Sequence, residues 1–186
     1  GVYFMPTIIS TAVSSMVFGF IFAAYNGVLN GVLKAIGVIG QNVNWLGDAK
    51  TAMWSVLIVA LWAGFGNYMI YFISGMSSIS EDVYESAKID GANGIQTFFK
   101  ITLPMLSPML KIILMLAITG AFKDYESIMV LTNGGPNNRT QVMFLYIYQL
   151  IFGKDDGTNP QIGYATVLSL VAALIIGIVT AVYMYF

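Results

Sequence analysis

Three long stretches of this sequence carry no charged side chain: Gly1 to Leu33, Thr51 to Ser80 and Gly157 to Phe186. A soluble domain spreads about 25% charged residues over its surface. Here the charged fraction is 9%, the hydrophobic fraction 58% and the mean hydropathy +0.78. Such a chain cannot build a wettable exterior around a dry core, so it belongs in a membrane. A spanning helix takes about 20 mainly apolar residues. Inside lipid its backbone polar groups must be bonded within the segment, which selects helices over open strands. The runs are also too long and too continuous for barrel strands, which alternate over about 10 residues.

A fourth apolar run, Met105 to Leu131, is interrupted by Lys111 and by "KDYE" at Lys123 to Glu126. The expectation is one all-α transmembrane domain over 1–186, with about four spans near 5–25, 52–74, 106–131 and 163–186. The connectors differ in character. Asn26 to Lys50 is rich in Gly and Asn and holds Trp45, a residue suited to a membrane boundary. Thr132 to Gln161 contains the turn formers "TNGGPNNRT" and "GKDDGTNP". Lysine and arginine do not orient the chain: Lys88, Lys100 and Lys111 on one side face Lys34, Lys50, Arg139 and Lys154 on the other. The sequence is apolar from Gly1 without the charged start of a signal peptide, and still apolar at "VYMYF". The expectation is a piece of a longer membrane protein. The net charge of −1 and the lack of a basic run argue against nucleic acid. With neither Cys nor His, the usual zinc, haem and disulfide chemistry is missing, so no metal or cofactor site is expected.

The charged residues concentrate in one insert, "SSISEDVYESAKIDGANGIQTFFKITLP", Ser77 to Pro104. It holds Glu81, Asp82, Glu85, Lys88, Asp90 and Lys100 out of 9 acidic and 8 basic residues. Ser78 and Glu81 have capping-box spacing, which predicts a helix through "EDVYESAKI". Gly91 is placed to end it in a left-handed turn. Asn93 can cap a second helix, "GIQTFFKITL", which Pro104 and Pro108 limit or kink. The small residues Ser86, Ala87, Gly91 and Ala92 at the elbow would let another backbone come close. One reading is an amphipathic connector on the membrane surface. The other is a docking element for a soluble partner, favoured by the acidic balance, which suits anionic lipid poorly.

"ESAKIDGANGIQTFFKITLP" resembles the signature loop of binding-protein-dependent ATP-binding-cassette importer permeases. That signature is Glu-Ala-Ala, two residues, Asp-Gly-Ala, eight residues, then Ile-x-Leu-Pro. Glu85, Ala87, Asp90, Gly91, Ala92, Ile101, Leu103 and Pro104 match it, and Ser86 is the one departure. "VLTNGGPNNRT", "LYIYQLIF", "IGYATVLSL", and before them "FMPTIISTAVSSMVFGFIF", "GVLNGVL" and "NWLGD", are similar to sugar permeases of the maltose and multiple-sugar type. The resemblance covers nearly the whole chain, with further N-terminal spans missing. It implies a type I importer permease-like helical bundle in the bacterial inner membrane. It also implies that 77–104 is a cytoplasmic coupling helix gripped by ATPase subunits at Glu85, Ser86, Ala87, Asp90, Gly91, Ala92, Ile101, Leu103 and Pro104. A second permease subunit and an extracytoplasmic solute-binding protein are the other implied partners, beside a sugar and membrane lipid. The outer loops Asn26–Lys50 and Thr132–Gln161 are the expected contact surface for the binding protein.

No phosphate-binding loop is present: "GVLNGVLKAIG" has the glycines without the Lys-Ser/Thr. Any ATP is therefore expected on partner subunits. In the third span Lys123, Asp124 and Glu126 are costly unless they pair or face a cavity. At about 1.5 Å per residue, Lys123 lies roughly 22 Å from Pro108. Lys123 and Glu126 are spaced to pair on a helix; the alternative is a polar translocation path. The resemblance implies sugar-contacting residues here and in "WAGFGNYM", so Gly64, Asn67, Tyr68, Lys123, Asp124, Tyr125 and Glu126 are the candidate substrate path. Lys123-Asp124 replaces the family's asparagine-rich stretch, which leaves a charged or acidic sugar conceivable. The competing readings are an ion-coupled carrier using Lys123, Asp124 and Glu126, a permease for a non-sugar solute, and a membrane scaffold.

Overall fold

A computed structural model describes residues 4–153 and 159–185. The 154–158 part of "GKDDGTNP", with Lys154, lies outside them. Among the described residues all regular structure is helical.

The first expected span, 5–25, is two helices, α1 (Met5–Ile8) and α2 (Thr11–Ile21). Ile9 and Ser10 between them are extended, and Ser10 Oγ caps α2 by accepting from the Val13 N–H at 3.4 Å. A short helix α3 (Val28–Ala35) follows. It ends on Gly37 (φ +74°), with the Val38 N–H donating to Leu33 O at 2.9 Å and the Gly37 N–H to Lys34 O at 3.0 Å. That is the paired bonding of a left-handed helix stop. Asn30, buried on α3, ties the next loop down. Its Oδ1 accepts from the Val43 N–H and the Trp45 indole N–H at 3.2 and 3.0 Å. Its Nδ2 reaches Val43 O at 2.9 Å and the carbonyls of Ala23 and Ala24.

Helix α4 (Ala52–Ser77) has 26 residues and α11 (Ile162–Tyr185) has 24, and each is long and apolar enough to cross a bilayer. The third long apolar unit differs from the expected continuous span at 106–131. It is a bent pair, Gly94–Met105 and Ser107–Lys123, with 66° between its halves. The second half is α8 (Ser107–Lys123), with Pro108 in its first turn, where a missing N–H costs nothing. Helix α8 stops at Lys123, Asp124 turns extended (φ −75°, ψ 96°), and a new short helix α9 (Glu126–Leu131) begins. Lys123 and Glu126 therefore belong to different helices and lose the helical i,i+3 relation that their spacing suggested.

Ser78 does not cap the insert. Helix α4 continues to Ser77, and Ser78 serves as its C-cap, its Oγ donating to Gly75 O at 2.7 Å. The extended N-cap of α5 (Glu81–Ile89) is Ser80. After Gly91 comes α6 (Gly94–Thr97), where Asn93 and Gln96 form a capping box: the Gln96 N–H donates to Asn93 Oδ1 at 2.9 Å and the Asn93 N–H to Gln96 Oε1 at 3.0 Å. The helix widens into a π turn at Phe98–Thr102 and closes with α7 (Leu103–Met105) before the break at Leu106.

Helix α10 (Met143–Phe152) lies between the loop after α9 and α11. One core cluster joins Phe22, Val56, Val59, Ile128, Leu131 and Leu145, gathering the ends of α2, α4, α9 and α10. A second joins Ile147 to Ala165 and Ala172, whose small side chains let α10 and α11 approach closely. Much of α4 and α11 remains exposed and apolar, as surfaces that meet lipid or further helices must be.

Candidate functional site

The break between α8 and α9 faces a cavity of about 430 Å³. That is within the range of small-molecule sites. Non-helical backbone at membrane depth is tolerated where it lines such a cavity or is buried in protein. Helix α4 contributes Gly64 and Asn67, three residues apart on one face. The break and the ends of α8 and α9 contribute Lys123, Asp124, Tyr125, Glu126 and Ser127. Six of the seven expected path residues thus surround one cavity. The seventh, Tyr68, lines an adjoining cavity of about 230 Å³ that shares Gly64 and Asn67. A β-carbon at Gly64 would lie 3.2 Å from the Tyr68 ring, so the glycine lets that ring lie back against its own helix.

Asp124 has a fixed partner. The buried Ser127 hydroxyl lies 2.9 and 3.0 Å from its two carboxylate oxygens and donates to that carboxylate. This local bond offers the chain an alternative to continued helix and holds the break open. Tyr125 is steadied by its ring contact with Tyr148, centroids 5.5 Å apart, and Tyr148 stacks on Phe152 at 4.7 Å. The cavity wall therefore combines amide, hydroxyl, carboxylate and ammonium groups with aromatic faces. Such a surface suits a polyhydroxylated ligand, whose hydroxyls donate and accept while its C–H faces lie on rings.

Three polar wall residues were not singled out from the sequence: Ser127, and Thr11 and Ser14 on α2. Ser14 is 3% exposed, and its Oγ, like that of neighbouring Ser15, has no hydrogen-bond partner among the described residues. The available signal was a pair of hydroxyls inside an uncharged span, where every polar group needs an explanation. A larger groove of about 820 Å³ touches Gly64, Tyr68, Gly120 and Asp124 but is otherwise lined by apolar side chains such as Leu57, Phe65 and Phe72.

The insert forms a second feature, beyond the C-terminal end of α4. Helix α5 ends as expected on Gly91 (φ +77°), with the Ala92 N–H donating to Ala87 O at 2.9 Å and the Gly91 N–H to Lys88 O at 3.1 Å. Glu85, Ser86, Asp90 and Gly91 are exposed, Ala92 and Ile101 are half-buried, and Leu103 and Pro104 are exposed. Ala87 differs: it is buried within the chain and is not part of the presented strip. Helical spacing puts it on the same inward face as Tyr84, whose phenol oxygen accepts from the Thr102 hydroxyl at 3.3 Å. The outward strip is therefore Glu85, Ser86, Asp90 and Gly91, with Ala92 half-buried beside it and Ala87 beneath.

Beyond α9, the loop through Thr132–Val142 is internally bonded. Thr140 Oγ1 lies 2.6 Å from Gly135 O and 2.7 Å from Thr132 Oγ1. The buried Gln149 of α10 donates to Asn133 Oδ1 and accepts from the Gln141 amide, both at 3.0 Å. Asn133, Asn137 and Asn138 occupy the left-handed region, where asparagine is tolerated better than most residues.

Residues 2–186 match the family described as binding-protein-dependent transport system inner membrane component. A probable permease protein of ATP-binding-cassette type from Bacillus subtilis (strain 168), YurN, is 35% identical over 174 residues, 94% of this chain and 58% of the relative. The multiple sugar-binding transport system permease protein MsmF of Streptococcus mutans is 36% identical over 146 residues, 78% of this chain and 49% of the relative. The chain thus spans about half the length of these curated relatives. A solved bacterial transporter involved in import of the acidic polysaccharide alginate shares the fold, with a TM-score of 0.85 at 23% identity over 98% of this chain and 62% of that one. With this match over nearly its whole length, the all-helical chain belongs to the binding-protein-dependent inner-membrane permease family.

Proposed function

We propose that this chain is part of a permease subunit that imports a sugar or oligosaccharide by alternating access, powered by separate ATPase subunits. The observation that carries this reading is the elbow at Glu85–Ala92, a small-residue, acidic surface at the opposite end of α4 from the 26–50 loop. A soluble ATPase gripping Glu85, Ser86, Gly91 and Ala92 would move the elbow, and the break at Leu106 would pass that movement to α8. The far end of α8 is the cavity break itself, so a displacement at the elbow changes the wall formed by Lys123 to Glu126.

The named relatives support a sugar, since one belongs to a multiple sugar-binding transport system. The cavity supports it chemically: Asn67, Ser127, Lys123 and the two carboxylates supply both donors and acceptors, and Tyr68 and Tyr125 supply ring faces. The proposed partners are a second permease, the ATPase pair, and an extracytoplasmic binding protein meeting Asn26–Lys50 and Thr132–Gln161.

The test is ATP-driven sugar uptake by the full-length assembly in vesicles, wild type against Gly91→Asp. Aspartate tolerates the left-handed backbone better than most residues, so its main effect is a charge at the point of close contact. The expected result is loss of uptake with the permease still folded in the membrane. Undiminished ATP-driven uptake would overturn the proposal.

A further inference from the structure

Helix α3 is placed oddly for a segment outside the spans. It begins six residues after α2 ends, yet it presents a second apolar face beyond the one it packs with. Val28, Val32 and Ile36 recur every four residues and are 59%, 52% and 65% exposed, with Tyr25 just before them at 84%. Leu29 and Leu33 are half-buried and Asn30 is buried, so the packed face is already satisfied within the chain.

The direction of the exposed stripe is fixed, because the helix cannot roll. Asn30 bonds Val43 and Trp45 of the following loop and the carbonyls of Ala23 and Ala24 behind it. The Gly37 stop closes the other end. At about 100° per residue, Lys34 projects roughly 160° from the centre of the Val28–Val32–Ile36 stripe, on the side of Asn30. The polar side of α3 is therefore the side that its own loop covers, and the apolar stripe points away from that loop. A helix leaving a membrane span, with a loop over its polar side and valine and isoleucine on the other, has the layout of an interfacial helix.

We propose that α3 lies in the bilayer boundary, with Val28, Val32 and Ile36 among the upper acyl chains and Lys34 directed to water. Its position across the membrane from the elbow follows from α4 alone. That the boundary is the outer one rests on the reading of the elbow as cytoplasmic. The anchor would fix the height of the 38–50 loop over the membrane and hold it while the spans move.

The chain contains no cysteine, so one label can be placed at will. The full-length chain, assembled with its partner subunits and with any other cysteine removed, is labelled with bimane at Val32→Cys or at Lys34→Cys in nanodiscs. The expected result is at least about twofold quenching at position 32 by lipids brominated near the top of the acyl chain, the depth such helices reach. Aqueous iodide should have little effect there, and position 34 should show the reverse. Quenching at position 32 by iodide and not by brominated lipid would overturn the proposal. So would shielding from both, which would mean that another protein surface covers the stripe. None of these outcomes depends on transport, so failure here leaves the importer reading standing, and failure of the uptake test leaves the anchor standing.

Discussion

Asn67 on α4 and Asp124 at the α8–α9 break both line the cavity, and their surroundings differ. Asp124 is engaged by Ser127, whereas Asn67 is exposed. Asn67→Ala should leave the fold intact and raise the apparent KM for sugar by about fivefold, the worth of one net hydrogen bond. Initial uptake rates against sugar concentration would show it. Ser127→Ala should instead cost about 1–3 kcal/mol of stability, because it strands a carboxylate that the break depends on. Thermal unfolding in detergent reads that directly. Ser14→Ala provides the contrast: with no hydrogen-bond partner to lose among the described residues, it should cost less stability than Ser127→Ala, and any fall in uptake then reports on the ligand. The 123–126 group was legible in the sequence because charges in a span demand a reason, and Asn67 was legible only through the resemblance that "WAGFGNYM" carries. Ser14 was not, because a pair of serines among Ala, Val and Met reads equally well as small packing.

At the scale of elements, what the sequence discloses depends on how local the cause is. The Gly91 stop and the Asn93 cap are decided within a few residues, and both form where the spacing puts them. The start of α5 is not local. Which serine caps it depends on where α4 ends, and α4 takes Ser78 for its own last turn. The spans expected at 5–25 and 106–131 are each broken into two helices, at Ile9–Ser10 and at Asp124–Tyr125. Hydropathy records only how oily a stretch is; a break costs little where the freed backbone lines a polar cavity. The Asn30 clamp joins positions 13 and 15 residues apart, beyond the reach of periodicity. Asn30→Ala should destabilise by about 1–3 kcal/mol, since it leaves buried backbone groups unpaired. It should also speed proteolysis within 38–50, as limited digestion would reveal.

For the whole molecule, the cavity meets α4 near its middle, at Val59 to Asn67, and the elbow follows the C-terminal end of that helix, which lies roughly 15 Å beyond Asn67 at about 1.5 Å per residue. The bent unit through α6 and α8 also connects them. Under the proposed function, the chain's part is to convert a push at the elbow into a change of wall shape. Membership of the family and the all-helical fold were legible because the signature motif is long and specific. The cavity's three-sided construction was not, because α2, α4 and the α8–α9 break are far apart in sequence. The most direct measurement is contact at the elbow. Ser86→Cys, introduced into the otherwise cysteine-free described chain, is exposed and strains no backbone. Treated with a short bifunctional thiol cross-linker in the assembled, full-length transporter, it should join the permease to the ATPase subunit, while the same change at Val32 should not. A position 86 that never cross-links to the ATPase, or that a membrane-impermeant reagent labels from outside intact cells, would contradict the account.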